Sequence, residues 1–535
     1  MGIPSYYKKL CDSIPGLLSK VRKGKQPTHL WVDFNCMVYH CLRRPGARPY
    51  EGEETRLEWE NHLIQEVCKY LKKIVSLVGP TEQIFVGVDG VVPMAKMRQQ
   101  RLRRFKSHWT AAEEVRIGKS EAGKPRWDTN AITPGTAFME RLAEALKGCK
   151  SGGDVRWIVS AADEFGEGEH KAMDGILDCP QSKRQSHVIY GLDADLILLA
   201  LLQPIEEIWL FREAVECGEV QYMDNEEEYR YFSIHKLREH LSKGQDNAYI
   251  MDYCMAMSLL GNDFLPHGIS LNLKGGGYPL FLQMLREVRN VVGPLITQKG
   301  SISDYTWSSK GLLECFKWLM KHEEDLVRKH CDQKIGQRHQ PARGTTALEE
   351  AIDEWNKMPL RVCEEMALAA SIRKVEGKTT IQLKDTWRKV YSERWLGHED
   401  TRHICQEYVR GLDWILQYYT GHHPDPEWCF PWFLPPLWND LYDYVKCCIE
   451  EKTVLPISVL GIENQVQPQE QLALVLPLES WWLIRNRDLR RLPRLAPQYW
   501  PSSFQLFTAG HKQTWECEAE IPLFMPERMR QLLKN

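Results

Sequence analysis

Residues 187–202 read His187-Val-Ile-Tyr-Gly-Leu-Asp-Ala-Asp-Leu-Ile-Leu-Leu-Ala-Leu-Leu202, and the order of residue types in this stretch decides the fold. An apolar run short enough for a buried strand leads into two acids, Asp193 and Asp195, and then into a helix-like run from Leu196 to Leu202. The same unit recurs upstream. Thr28-His-Leu-Trp-Val-Asp33 is a buried strand that ends in a carboxylate, and Gln83-Ile-Phe-Val-Gly-Val88 runs into Asp89-Gly90. Val155-Arg-Trp-Ile-Val-Ser160 leads to Gly166-Glu167-Gly168-Glu169-His170-Lys171, ahead of the helix-like Ala172 to Leu177. Between them, Leu57, Leu63, Ile64, Val67, Tyr70, Leu71, Ile74 and Val75 recur with helical spacing, and Ile208 to Phe211 supplies a further strand. Strands alternating with helices predict an α/β fold with a central, mainly parallel sheet and flanking helices.

In an open parallel sheet, ligands bind just beyond the carboxyl ends of the strands, and there this chain places Asp33, Asp89, Glu167, Glu169, Asp193 and Asp195. Asp263, in Gly261-Asn-Asp-Phe264 after the apolar helix-like run from Met251 to Leu260, is one more. Any one of these acids is equally well read as a turn residue or a helix cap. Seven in one sheet-end cleft would repel one another and raise their own pKa values unless cations neutralised them. Carboxylate ligands without His or Cys select hard ions, so the expected cofactor is Mg²⁺ or Mn²⁺, as two ions able to serve phosphodiester hydrolysis. The two glycines at 166 and 168 are expected to let Glu167 and Glu169 reach that centre.

Charge placement says more than the total. The formal net charge of −3, with 43% hydrophobic and 26% charged residues, describes an ordinary globular chain and gives no averaged support for a nucleic-acid or membrane partner. Yet Lys96, Arg98, Arg101, Arg103, Arg104 and Lys106 fall within eleven positions without an acid. On a helix after Pro93, Lys96, Gln100, Arg103 and Arg104 share one face. A solvated basic face is the common fate of such a run. Starting seven residues after Asp89, it is better read as a grip on a phosphate, whose oxygens Arg and Lys saturate together. Sixteen cysteines without a C-x-x-C pair predict reduced, mostly buried thiols, and no apolar run reaches membrane-spanning length.

These motifs are also recognisable. MGIP at 1–4, VDFN at 32–35, VDGVVPMAKMRQQRLRRF at 88–105, ITPGTAFM at 132–139, GEGEHKAM at 166–173, GLDADLILL at 191–199 and LLGNDFLPH at 259–267 resemble, in order, the XRN-type 5′-to-3′ exoribonucleases. The nuclease fold of that family is related to flap endonucleases and is PIN-like. The resemblance implies that Asp33, Asp89, Glu167, Glu169, Asp193, Asp195 and Asp263 are the metal-binding, catalytic acids. It implies that Lys96, Gln100, Arg103 and Arg104 hold a 5′-terminal phosphate, so that the partner is single-stranded RNA with a 5′-monophosphate. Where the family carries a histidine that stacks on the terminal base, this chain has Tyr39, with His40 beside it. A tyrosine ring can still stack.

The second half resembles the family through Arg402 to Trp438 and through EQLALVLPLES and WPSSF, an aromatic-rich region expected to close over the active site. Trp428 is the expected second stacking surface, with Trp414 and Trp432 assigned to the core. The chain is divided into a nuclease domain at 1–300, a helical connecting region at 301–400 and a second conserved region at 401–535, with the polar stretch Asp332 to Thr346 as the best linker. The expectation is a monomeric, metal-dependent, processive exoribonuclease without a membrane partner, placed in the cytoplasm with the nucleus left open. A structure-specific DNA flap nuclease and a non-catalytic RNA-binding scaffold are the alternatives.

Overall fold

The computed structural model describes residues 6–22, 26–149, 154–179, 185–191, 193–216, 219–223, 226–298, 305–397 and 399–534. The motif at 1–4 and Leu192 lie outside the described residues. The central sheet has seven strands: β1 Leu18–Ser19, β2 His29–Asp33, β3 Gln83–Gly87, β4 Arg156–Ser160, β5 Ser186–Tyr190, β6 Glu207–Glu213 and β7 Tyr229–Ser233. Their spatial order is β1-β7-β6-β5-β2-β3-β4. From β6 to β4 every pairing is parallel, and β7 and β1 close one edge antiparallel. The α/β expectation holds.

Every residue of β2 and β5 is buried, as continuous apolar strands require when helices cover both faces. The strand order brings the acid-bearing ends of β5, β2, β3 and β4 side by side. The chain steps from β2 to β3 to β4 in one direction and then crosses back to place β5 on the other side of β2. The reversal between β2 and β5 is the point at which open α/β sheets bind ligands.

The helices follow from their patterns. α1 spans Tyr6–Ser13 and α2 Asn35–Arg43. α3, Arg56–Val78, buries the apolar stripe from Leu63 to Ile74 but leaves Leu57, in its first turn, exposed, and ends at Gly79, whose left-handed φ of 62° stops it. α4, Met94–Arg116, starts after Pro93, and α5, Gly168–Leu177, and α6, Asp195–Leu202, start at the acid-bearing turns. In the second half, α7, Ser309–Gln337, packs on α9, Trp438–Glu450, while α8, Thr401–Tyr419, begins at Asp400, which accepts the Arg402 N–H. One hydrophobic cluster runs through both halves.

Two local expectations change. The polar stretch from Asp332 does not begin as a linker, because α7 continues to Gln337 and buries Lys334 completely. An antiparallel hairpin, β8 Ala369–Val375 with β9 Lys378–Leu383, stands where no strand was expected, turning at Glu376 and Gly377 with φ of 49° and 75°.

Candidate metal centre and phosphate pocket

The Gly166–Lys171 turn is built by close approach. A Cβ at Gly168 would lie 2.5 Å from the Gly87 carbonyl oxygen and 3.1 Å from Asp33 Oδ1, so only glycine lets the first turn of α5 press against the ends of β3 and β2. Gly166 has φ of 100°, a conformation L side chains avoid. The backbone N–H of Gly168 donates to Asp89 Oδ1 at 2.8 Å, fastening the turn to the strand beside it.

Asp33, Glu169 and Asp193 each offer an oxygen, all within 4.8 Å of one another, and Glu167, Glu169 and His170 form a second such group. Glu169 Oε2 and Asp195 Oδ1 are buried and accept no hydrogen bond. Burial, compounded by Asp89 and Asp193, pushes the Asp33 carboxyl well up, and burial with Asp195 and Glu167 does the same to Glu169. Asp195 is pushed up to about 7 by burial and by Asp263. Unpaired buried carboxylate oxygens crowded by like charges are what a hard divalent cation relieves, so this donor set fits Mg²⁺ or Mn²⁺.

Not all seven acids stand alike. Asp89 already accepts from Gly168 N and, at 2.8 Å, from Asn35 Nδ2, so it braces the turn behind the cluster. Glu167 is ion-paired to Lys96 at 2.6 Å and Asp263 to the same ammonium at 3.0 Å. Against the upward push of burial, Lys96 and then His170 hold Glu167 below its ordinary range. Glu167 Oε1 also accepts the Tyr418 hydroxyl at 2.7 Å.

The basic helix divides its labour. Arg98 donates to the carbonyls of Pro431 and Trp432 at 3.1 and 3.3 Å, and Lys106 to those of Trp515 and Cys517 at 3.0 and 2.5 Å. Arg101 is buried and donates to the carbonyls of Leu474 and Tyr499. These three fasten α4 to the second half. Lys96 faces the acids, and Gln100 is buried with its Oε1 accepting from Gln471 Nε2 at 3.4 Å. Arg103 is half-buried. Arg104 is 9% exposed, its Nη1 buried without a hydrogen-bond partner, and burial pulls its pKa down to about 10.

Two expected stacking rings are corrected. Trp428 is 4% exposed, donates Nε1–H to Glu407 at 2.9 Å and packs on Trp414 with ring centroids 5.4 Å apart, so it is core. His40 is ion-paired to Glu227 at 2.8 Å and stacked on Tyr70 at 4.5 Å, so its ring is committed elsewhere. Tyr39 is half-buried beside Arg104, under the Arg43 guanidinium at 5.5 Å from the ring centroid. Sequence reasoning assigned nothing to Asn35, His170 or Tyr418. Asn35 stood inside a quoted motif, two residues after Asp33 at a strand-to-helix turn. Burial lowers His170 to about 4, which leaves its imidazole neutral beside the acids. Tyr418 lies 251 positions from its acceptor, and no local pattern announces it.

Residues 1–214 match the family model described as the XRN 5′-3′ exonuclease N-terminus, and residues 320–535 match the Xrn1 helical domain. Among curated proteins the chain is similar to human 5′-3′ exoribonuclease 1, with 26% identity over 100% of this chain and 34% of the relative. It is also similar to 5′-3′ exoribonuclease 1 of Saccharomyces cerevisiae, with 24% identity over 99% of the chain and 43% of the relative. With 5′-3′ exoribonuclease 2 of Yarrowia lipolytica it shares 24% identity over 99% of the chain and 68% of the relative. The chain thus spans less than half the length of the first two. Two family models matched in order along one chain, with whole-chain similarity to these exoribonucleases, show that it belongs to the XRN family.

Proposed function

We propose that this chain is a metal-dependent, processive 5′-to-3′ exoribonuclease that takes RNA with a 5′-monophosphate and releases nucleoside monophosphates. The observation that carries the reading is Arg104, a buried guanidinium with an unpartnered nitrogen beside a cluster of carboxylates that have unpartnered oxygens of their own. A buried guanidinium nitrogen without an acceptor is costly, and a terminal phosphate would supply the acceptor that Arg104 Nη1 lacks.

Asp33, Glu167, Glu169, Asp193, Asp195 and Asp263 would hold two Mg²⁺ or Mn²⁺ ions, which stabilise the attacking and leaving oxygens of phosphodiester hydrolysis. The chain's own residues do the rest. Arg104, Arg103 and Gln100 fix the terminal phosphate, which sets the register of the first phosphodiester against the acids. Asp89, tied on both oxygens, keeps α5 pressed to the sheet so that Glu167 and Glu169 stay aimed. Tyr39, beside Arg104, offers a ring to the terminal base without reading its identity. The test is degradation, in Mg²⁺, of one RNA carrying either a 5′-phosphate or a 5′-hydroxyl, with a DNA flap beside them. Loss of the phosphorylated RNA alone is expected. Equal loss of both RNAs would remove the phosphate pocket, and cleavage of the flap in preference to RNA would replace the substrate class.

A further inference from the structure

Two aromatic residues of α8 reach the acid cluster, Tyr419 through the charges of Asp195 and Glu169 and Tyr418 through a hydrogen bond. Tyr418 donates its hydroxyl to Glu167 Oε1 at 2.7 Å while Lys96 holds Oε2 at 2.6 Å, so both oxygens of one carboxylate are assigned, each by a different region of the chain. The ring is clamped as firmly as the hydroxyl. It lies on His170 with centroids 3.9 Å apart, meets Phe264 edge-on at 5.6 Å and packs on Trp414 at 4.8 Å. Trp414 in turn stacks on Trp428 and donates its indole N–H to the Asp425 carbonyl at 2.9 Å. The next carbonyl, that of Pro426, accepts the Met94 N–H at 2.7 Å, at the first residue of the basic helix. A run of contacts therefore leads from the start of α4, through the backbone at Asp425 and Pro426 and the packed rings of Trp414 and Tyr418, to a carboxylate of the candidate metal centre. Its rings are rigid with few rotamers, which makes the last hydroxyl a fixed point.

We infer that Tyr418 is a positioning residue of the metal centre, through which the C-terminal region sets the affinity of the acid cluster for divalent ions. The inference deepens the proposed function and rests on its metal-centre reading. A buried tyrosine needs an acceptor in any protein, and Tyr391 meets that need with the Pro435 carbonyl at 2.9 Å. Tyr418 instead spends its proton on a charged carboxylate in the acid cluster. It fixes the rotamer of Glu167, so that carboxylate need not be ordered when a metal ion binds. Removing a group that holds a metal ligand in place from behind typically costs about tenfold to a hundredfold in metal affinity or activity.

The experiment is a Mn²⁺ titration of the intact protein without RNA, followed by calorimetry or by the free Mn²⁺ electron paramagnetic resonance signal, for wild type, Tyr418→Phe and Tyr391→Phe. Tyr418→Phe keeps the ring and its stack and should weaken Mn²⁺ binding about tenfold. In Mg²⁺ titrations of RNA degradation its kcat should return towards wild type as Mg²⁺ rises, with KM for RNA unchanged. Tyr391→Phe loses a buried hydroxyl remote from the acids and should bind Mn²⁺ as wild type does. Coincident isotherms for wild type and Tyr418→Phe would overturn the inference, as would an equal loss in Tyr391→Phe. A wild type that binds no Mn²⁺ would overturn both the metal-centre reading and the role of Tyr418. Tight Mn²⁺ binding that Tyr418→Phe weakens, in a protein that degrades no RNA, would support the positioning role and sink only the proposed substrate.

Discussion

At the carboxyl ends of the sheet Lys96 is ion-paired to Glu167 and Asp263 within a cluster of acids, whereas between α7 and the final segment Glu365 is buried against Lys334 and His330. Both clusters set a buried lysine against a buried acid. In the second, the Lys334 ammonium stands within ion-pair distance of both oxygens of Glu365, at 2.9 and 2.7 Å; Oε1 accepts its hydrogen bond and one of 2.6 Å from Gly510 N–H, while Oε2 is held by charge alone. The Lys334 ammonium also donates to the Thr508 carbonyl at 2.8 Å. That cluster balances its own charge. The first leaves Glu169 Oε2 and Asp195 Oδ1 without acceptor bonds and Arg104 Nη1 without an acceptor. Charge balanced inside the protein holds a fold together, and charge left open there waits for a ligand.

The comparison is broken most directly by Asp193→Ala. Removing an acid from the open cluster should cut release of nucleoside monophosphates by at least about a thousandfold, since the metal centre carries the chemistry. In EDTA the same variant should melt no lower than wild type, because it relieves repulsion between like charges. Lys334→Met, in the closed cluster, should behave in the opposite way. It strands a buried carboxylate and should cost about 3–5 kcal/mol of stability, read as a lower denaturant midpoint, with the residual folded protein still active.

Acidification sharpens the contrast. Against burial, Lys334 and then His330 push the Glu365 carboxyl down to about 2, below its unfolded value of 4.5. A depressed carboxylate contributes stability that is present above the unfolded value and is lost as pH falls through the folded one. Wild type should therefore lose about 3 kcal/mol between about pH 4.5 and pH 2 from this group alone. Glu365→Gln should lack that part of the acid limb in equilibrium unfolding. A smaller effect is expected at Arg104→Met, which should reduce the preference for 5′-phosphate over 5′-hydroxyl RNA by about tenfold to a hundredfold while leaving thermal stability intact or raised. Competition between the two RNAs in one reaction measures it.

What could be read from sequence follows the same division. The acids at 33, 89, 167, 169, 193 and 195 were legible because a parallel strand announces itself by a short apolar run, and the residue that follows lies at a ligand-binding edge. The basic helix was legible as a helix but not in its division. Whether Arg101 meets a phosphate or a carbonyl 373 positions away depends on packing that spacing does not encode. The same holds for Trp428 and His40, since exposure of an aromatic ring is a property of its neighbours. The polar stretch from Asp332 looked solvated because the partners that let its lysine be buried, Glu365 and the Thr508 carbonyl, lie 31 and 174 positions further on.

The anchoring of α4 has a consequence for how the protein is made. Arg101 and Lys106 are held by carbonyls up to 411 positions later in the chain, in residues 474–517. During synthesis the acid-bearing strands and the basic helix leave the ribosome long before those carbonyls exist. Until they arrive, Arg101 lacks the carbonyls that accept its buried hydrogen bonds, and the helix meets the acids through Lys96 without those anchors. The face of α4 that carries Arg103 and Arg104 is therefore fully anchored only after residues 474–517 have been made.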